Sequence, residues 1–184
     1  MTEEEFNAYW WDSANETALN GGKGKKDGKI LDDEGYNYEN SYSFAVAMGS
    51  LSEAKGWGSW AFGEGVKALA RNSYATGLQT VAEGSRSFAA GYKSKAKNIN
   101  AFAIGEDTSA EGVNSFAAGY TTKATEYAAT ALGENTEANG KGSLASGFYS
   151  QANGEYAVSL GYGCIAGGEA TVTLGKGNQT TKAG

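Results

Sequence analysis

Ten glycines recur at intervals of 14 residues without a slip, and this ladder constrains the fold more than any other feature. Five residues after each of the first nine stands an alanine, and two residues before each glycine stands Ala, Ser or Thr. Such a fixed period is typical of a solenoid, in which each repeat forms one turn stacked on its neighbour. The ladder consists of Gly49, Gly63, Gly77, Gly91, Gly105, Gly119, Gly133, Gly147, Gly161 and Gly175.

Each turn is predicted to contain two short strands. Before the ladder glycine, small residues alternate with large apolar ones, and because strand side chains alternate between two faces, the small residues and the glycine are expected to face one way. After the glycine, small residues at positions three and five alternate with mostly polar ones at four and six. We therefore expect an all-β fold, a parallel β-roll solenoid of 14-residue turns, with glycine corners and a closely packed interior that holds no ligand.

The large apolar residues should then lie on the outside of a monomer. Burying each such side chain is worth about 1.5–3 kcal/mol, and soluble monomers rarely expose a contiguous apolar stripe. A cyclic homo-oligomer would bury this stripe around its symmetry axis. The predicted interface residues are Val46, Met48, Trp60, Phe62, Tyr74, Phe88, Phe102, Ile104, Phe116, Leu132, Leu144, Val158, Leu160, Val172 and Leu174.

No catalytic or metal-binding pattern emerges from the sequence. The chain has no histidine, and neither a nucleophile with a base nor a pair of carboxylates stands out. Cys164 occupies a slot that mostly holds Ser or Thr in the other turns, so it is expected to be a small packed residue. The acidic run at Asp32, Asp33 and Glu34 does not fit the spacing of an EF-hand loop. We predict no enzyme activity, no cofactor and no metal.

Charge and hydropathy exclude two kinds of partner. The net charge of -6, the pI near 4.8 and the lack of a basic patch in any one stretch argue against nucleic-acid binding. No apolar run approaches the roughly 20 residues that a membrane-spanning helix needs. The chain is therefore predicted to contact neither nucleic acid nor, through this segment, a membrane.

The first 40 residues do not keep the repeat and are assigned to an N-terminal cap or leader, with residues 41–184 assigned to the roll. A capping-box pattern followed by apolar residues at helical spacing favours a short helix near residues 3–19. The repeat is still running near Gly175, close to the end of the sequence, which favours a fragment of a longer chain.

Three turns carry a more specific resemblance. They read Asn-Ser-Tyr-Ala-Thr-Gly at 72–77, Asn-Ala-Phe-Ala-Ile-Gly at 100–105 and Asn-Ser-Phe-Ala-Ala-Gly at 114–119. These segments resemble the head repeat of trimeric autotransporter adhesins of the YadA type, over about residues 43–178. The resemblance implies a left-handed β-roll that forms a homotrimer through its apolar sheet. It also implies a place on the bacterial cell surface, within a longer chain anchored in the outer membrane.

The function implied by this resemblance is that of an adhesin head, which attaches to a host surface, to a matrix protein or to a glycan. Similar rolls also occur in phage tail fibres, so a structural spacer or the receptor-binding part of a virion fibre stays open as an alternative. Aromatic side chains are efficient recognition groups. The candidate ligand-binding residues are the aromatics that directly follow ladder glycines, namely Tyr92, Tyr120, Phe148 and Tyr162.

Overall fold

The computed structural model describes residues 45–180, which form ten stacked turns of a parallel β-solenoid. Each turn contributes one long strand and one short strand. The all-β fold and the 14-residue turn are thereby confirmed. The helix predicted near residues 3–19 and the boundary at residue 40 fall outside the described residues. Within residues 45–180 no helix is long and apolar enough to cross a membrane.

Two sheets of ten strands face each other, and consecutive turns supply neighbouring strands. The long strands are β1 (Val46–Met48), β3 (Trp60–Glu64), β5 (Tyr74–Leu78), β7 (Phe88–Tyr92), β9 (Phe102–Glu106), β11 (Phe116–Tyr120), β13 (Thr130–Glu134), β15 (Leu144–Phe148), β17 (Val158–Tyr162) and β19 (Val172–Lys176). The short strands are β2 (Glu53–Ala54), β4 (Lys67–Ala68), β6 (Val81–Ala82), β8 (Lys95–Ala96), β10 (Ser109–Ala110), β12 (Lys123–Ala124), β14 (Glu137–Ala138), β16 (Gln151–Ala152), β18 (Ile165–Ala166) and β20 (Gln179–Thr180). Each residue pairs with its equivalent 14 positions along, as Ala117 does with Ala131.

Small side chains fill the space between the sheets, as predicted. The inward positions of the long strands are at most 3% exposed from Ala47 to Thr173, and those of the short strands are fully buried from Ala68 to Ala166. Cys164 is also fully buried, and its Sγ lies 3.1 Å from the carbonyl oxygen of Gly175. The cysteine is therefore the small packed residue that its place in the repeat predicts.

The ladder glycines do not belong to this interior, which corrects the prediction that they face inward. Their φ angles lie between 103° and 134°, a region that residues with a Cβ rarely adopt. Gly119, for example, is exposed. A Cβ at Gly119 would collide with the backbone carbonyl of Gly133 in the next turn. Glycine is required here by the backbone conformation and by the close stacking of turns.

The prediction of glycine corners holds only in part. Glycines such as Gly84 and Gly112 lie in the bends that follow the short strands, where a Cβ would meet the backbone of the next turn, but most left-handed corner positions are not glycine. Each turn bends where the backbone is left-handed, two and nine residues after the ladder glycine, with φ between 51° and 68°. Side chains as different as those of Lys93, Asp107 and Asn100 occupy these corners. Hydrogen bonds between turns hold them: Asp107 N donates to Tyr92 O at 2.9 Å, and Asn100 Nδ2 donates to Asn114 Oδ1 at 2.9 Å.

Candidate binding surfaces

The outward side chains of the long strands form one continuous surface, the apolar stripe, from Met48 to Leu174. Along each strand, alternation turns a small residue inward and its neighbours outward, so that in β11 Ala117 is buried while Phe116 is half-buried. Met48, Trp60, Ile104, Val172 and Leu174 are exposed, whereas Phe62, Tyr74, Phe88, Phe102, Phe116, Leu132, Leu144, Val158 and Leu160 are half-buried.

Val46 is the exception among the predicted interface residues. Only 4% of Val46 is exposed, compared with 46% of Met48 in the same strand. Val46 is therefore packed by its own chain, and the accessible stripe begins at Met48. The remaining predicted positions are accessible in a single chain, which is the placement that the sequence predicts.

Aromatic rings stack along the first half of the stripe. The ring centroids of Tyr74 and Phe88 are 5.1 Å apart with planes 2° from parallel, those of Phe88 and Phe102 are 4.7 Å apart, and those of Phe102 and Phe116 are 5.1 Å apart. Aromatic pairs of this kind add about 0.5–1.5 kcal/mol beyond their buried area. From Thr130 onward the equivalent positions hold no ring, so the stripe has an aromatic half and an aliphatic half.

The predicted ligand-binding aromatics end the long strands at one corner of the solenoid. Tyr120 and Tyr162 are 47% and 52% exposed, while Tyr92 and Phe148 are half-buried. The ring of Phe148 stacks on that of Tyr162 at 5.3 Å. Tyr149, which the sequence reasoning missed, packs edge-on against Phe148 at 4.5 Å. We call Phe148, Tyr149 and Tyr162 the aromatic corner.

The other two predicted residues do not join this cluster. Tyr120 is flanked in the sheet by Glu106 and Glu134, which separate it from both Tyr92 and the aromatic corner. Tyr92 instead lies under the ammonium group of Lys93, which is 4.9 Å from the ring centroid. The hydrogen bond and the charge interaction with Tyr92, followed by the charge of Asp107, raise the pKa of Lys93.

The outward face of the short strands is polar and carries ion pairs. Lys97 Nζ lies 2.8 Å from Glu111 Oε1. Lys123 Nζ lies 3.7 Å from the same carboxylate. Burial raises the pKa of Glu111, but hydrogen bonds from Lys97 and Ser109, together with the charges of Lys97 and Lys123, bring the pKa below its usual value.

The surface of residues 45–180 has a small number of accessible features. Within residues 45–180 no three His, Cys, Asp or Glu side chains come close enough together to hold a metal ion. Cys164 is buried between the sheets and is not available to a substrate. The accessible features of the described turns are the apolar stripe, the aromatic corner and the polar face of the short strands.

Comparison with known families identifies the repeat. The sequence profile of the YadA head domain repeat, in its two-copy form, matches six overlapping segments that advance along the chain with the turns: residues 68–94, 82–108, 96–122, 110–136, 124–150 and 138–163. Together the matches extend from residue 68 to residue 163, more than half of the chain. The chain belongs to the YadA head family. No curated protein sequence matches it.

Membership of the YadA head family makes this chain a segment of the kind found in trimeric autotransporter adhesins. YadA heads are a structural family of adhesins and are not known as catalysts. The family also implies a surface-exposed segment. The stacked turns between residues 68 and 163 are thus YadA head repeats.

Proposed function

We propose that this chain is the adhesive head of a homotrimeric surface fibre, which attaches a bacterium to a host surface, a matrix protein or a glycan. The observation that carries the proposal is the apolar stripe. A stripe of this length on the outside of a YadA head solenoid is suited to contact with identical copies around a threefold axis. The longer chain would continue to an anchor in the outer membrane.

The sizes of the side chains along the apolar stripe support self-association. Where a large ring occupies the first outward position of a strand, the second is often small, as with Phe116 and Ala118; in β13 the order is reversed, with Thr130 and Leu132. Large and small side chains therefore alternate along the stripe in a pattern that changes from turn to turn. If three identical chains pack in one axial register, large side chains of one chain can fill the space beside small side chains of the next, as close packing requires.

The trimer leaves the aromatic corner available for a ligand. This corner lies at the end of the long strands, and Tyr149 and Tyr162 are 55% and 52% exposed. Three copies of the corner, displayed around one fibre tip, would give weak individual contacts a high combined affinity. Aromatic side chains supply large contact areas at a small cost in conformational entropy.

Light scattering tests the assembly. The full chain is expected to have three times its mass of 19.0 kDa at working concentration. A single species of 19.0 kDa, with the aromatic half of the stripe open to solvent, would refute the trimer.

Arrays of matrix proteins and glycans test the attachment. The wild-type chain is expected to bind defined spots, and the triple variant Tyr149→Ser, Phe148→Ser and Tyr162→Ser should lose binding. The matched control replaces Tyr127 and Tyr156, which are equally exposed but lie at other corners, and should keep it. A chain that binds no spot is a structural spacer. Equal loss in both variants would remove the aromatic corner as the ligand site.

A further inference from the structure

Lysines 28 residues apart in sequence come into line on the outward face of the short strands. In the sheet register Lys67 pairs with Val81, which pairs with Lys95, and Lys95 in turn pairs with Ser109, which pairs with Lys123. Strands in a sheet are about 4.8 Å apart, so these lysines recur at about 9.6 Å along the solenoid. We call Lys67, Lys95 and Lys123 the lysine row.

The side chains of this row are accessible to solvent. All three lysines are exposed. Lys123 lies 3.7 Å from Glu111, whereas the side chains of Lys67 and Lys95 have no ion pair or hydrogen bond within the part of the chain described. The row is on the sheet opposite the apolar stripe, so a trimer formed through the stripe would leave it facing solvent.

A depression of about 440 Å³ lies beside the row. Three lysines line it, together with two carboxylates, two hydroxyl groups and one amide: Lys93, Lys95, Lys97, Asp107, Glu111, Thr108, Ser109 and Gln79. Lysines provide positive charge for an anion, while carboxylate, hydroxyl and amide oxygens accept hydrogen bonds from hydroxyl groups. The depression therefore presents both kinds of group to one ligand.

We propose that the lysine row and this depression bind a linear sulfated polysaccharide that runs along the solenoid axis. This proposal rests on the adhesive function proposed above and names one ligand class for it. Such a polymer carries anionic sulfates at intervals of about two sugar rings and hydroxyl groups between them. Its sulfates meet the lysines, and its hydroxyl groups donate to Asp107 and Gln79.

The acidic residues beside the row favour a narrow ligand over a broad one. Glu83 and Glu111 lie two residues beyond Val81 and Ser109, on the same outward face. These carboxylates would repel the broad, continuous anionic surface of a DNA duplex. A polyphosphate chain is narrow enough for the row, but it has no hydroxyl groups along its length to donate to Asp107.

Binding of the full chain to a heparin oligosaccharide tests the proposal. The double variant Lys67→Gln and Lys95→Gln is expected to bind at least about fivefold more weakly, with a shallower dependence on salt. The matched variant Lys55→Gln and Lys141→Gln has the same net charge and should bind nearly as the wild type does. Circular dichroism checks that both variants are folded.

A measurement on the unaltered protein accompanies the variants. Heparin should protect Lys67 and Lys95 from acetylation more than it protects Lys55 and Lys141. Equal weakening in both double variants, equal protection of all four lysines, or equal affinity for polyphosphate or duplex DNA would overturn the proposal. If the wild-type chain binds other array spots but not heparin, only this inference fails; if it binds nothing at all, the adhesive function fails as well.

Discussion

The two faces of the long strands differ in how their packing is completed. The inward face carries Ala, Ser and Thr and is buried against the second sheet of the same chain, as at Ala117. The outward face of the same strands carries Phe, Leu and Val and is left partly accessible, as at Phe116. One face is thus completed within each chain, whereas the other stays accessible to a partner.

This difference teaches which substitutions should act on folding and which on assembly. Small inward side chains set the separation of the sheets, so any added volume must be accommodated by two sheets at once. Large outward side chains have open space beside them in a single chain. We therefore expect inward changes to alter the stability of the chain itself and outward changes to alter association.

The largest loss of stability is expected from substitution of a ladder glycine, which belongs to neither the buried interior nor the apolar stripe. In Gly119→Ala the new Cβ would collide with the carbonyl of Gly133, so a loss of more than about 4 kcal/mol in the free energy of unfolding is expected. Gly163→Ala is the control, because its φ of 62° is a corner value and a Cβ there meets nothing within 4 Å. That variant should lose about 1–2 kcal/mol. Urea unfolding measures both variants. If they lost similar free energies of unfolding, the close stacking of turns would not be the reason that glycine is needed at position 119.

An outward charge should dissociate the assembly without unfolding the chain. Phe102→Asp removes a ring that stacks on the rings of Phe88 and Phe116. In a trimer it also places three carboxylates near the proposed axis. Light scattering should show a monomer, while circular dichroism should keep its β signal. Tyr127→Asp, on a residue 51% exposed and off the stripe, should remain a trimer. A trimeric Phe102→Asp chain would contradict the assembly.

Neighbouring alanines in β11 allow the two faces to be compared directly. Ala117→Leu points inward, where the native side chain is fully buried, and overpacking should cost about 1–3 kcal/mol. Ala118→Leu points outward from a half-buried position and should change stability by less than about 0.5 kcal/mol. Both are measured by urea unfolding in the Phe102→Asp background, so that association does not contribute. Equal costs would remove the distinction between the faces.

Inward hydroxyl groups sharpen the comparison further, because turns differ in how they satisfy them. Ser94 Oγ donates to Gly105 O at 2.8 Å, whereas Thr122 Oγ1 is buried without a hydrogen-bond partner among the described residues. Ser94→Ala should therefore lose about 1 kcal/mol, and Thr122→Val should gain a similar amount. Thermal unfolding at fixed protein concentration measures both. Changes of the same sign would contradict this account of the interior.

The smallest effect belongs to the polar face of the short strands. Because the pKa of Glu111 is lowered in the folded chain, its ion pairs stabilise the fold at neutral pH, and this stabilisation is lost as the pH falls through the folded pKa. Glu111→Gln should cost a few tenths of a kcal/mol at pH 7 and nothing in strong acid. Unfolding curves across this pH range measure the difference. A cost that is independent of pH would point to packing instead.

The fold was predictable because each column of the solenoid repeats one structural requirement ten times. The alanine columns predicted the interior, and the alternation around Ala117 predicted the outward stripe. The conformation of the ladder glycines was not predictable in this way. Glycine is small, so its place in the alternating pattern is equally consistent with a buried, inward position. Only the backbone shows that Gly119 is exposed and that its φ excludes a side chain.

The corners and the binding surfaces were less accessible to sequence reasoning. Lys93 and Tyr149 carry no preference for left-handed backbone, so nothing in their chemistry marks a corner; hydrogen bonds between turns impose it. The aromatic corner joins Tyr149 to Phe148 through the geometry of that bend. The lysine row was not predictable from the sequence, because its members are far apart along the chain and each local stretch also contains acidic residues.

Every strand in both sheets pairs only with the strands of the turns immediately before and after it. No part of the described solenoid must therefore wait for a distant segment before it can be ordered. Each new turn needs only the turn before it as a template, so folding can propagate from one end of the solenoid, one turn at a time. The same arrangement means that a pull along the axis would separate the chain one turn at a time.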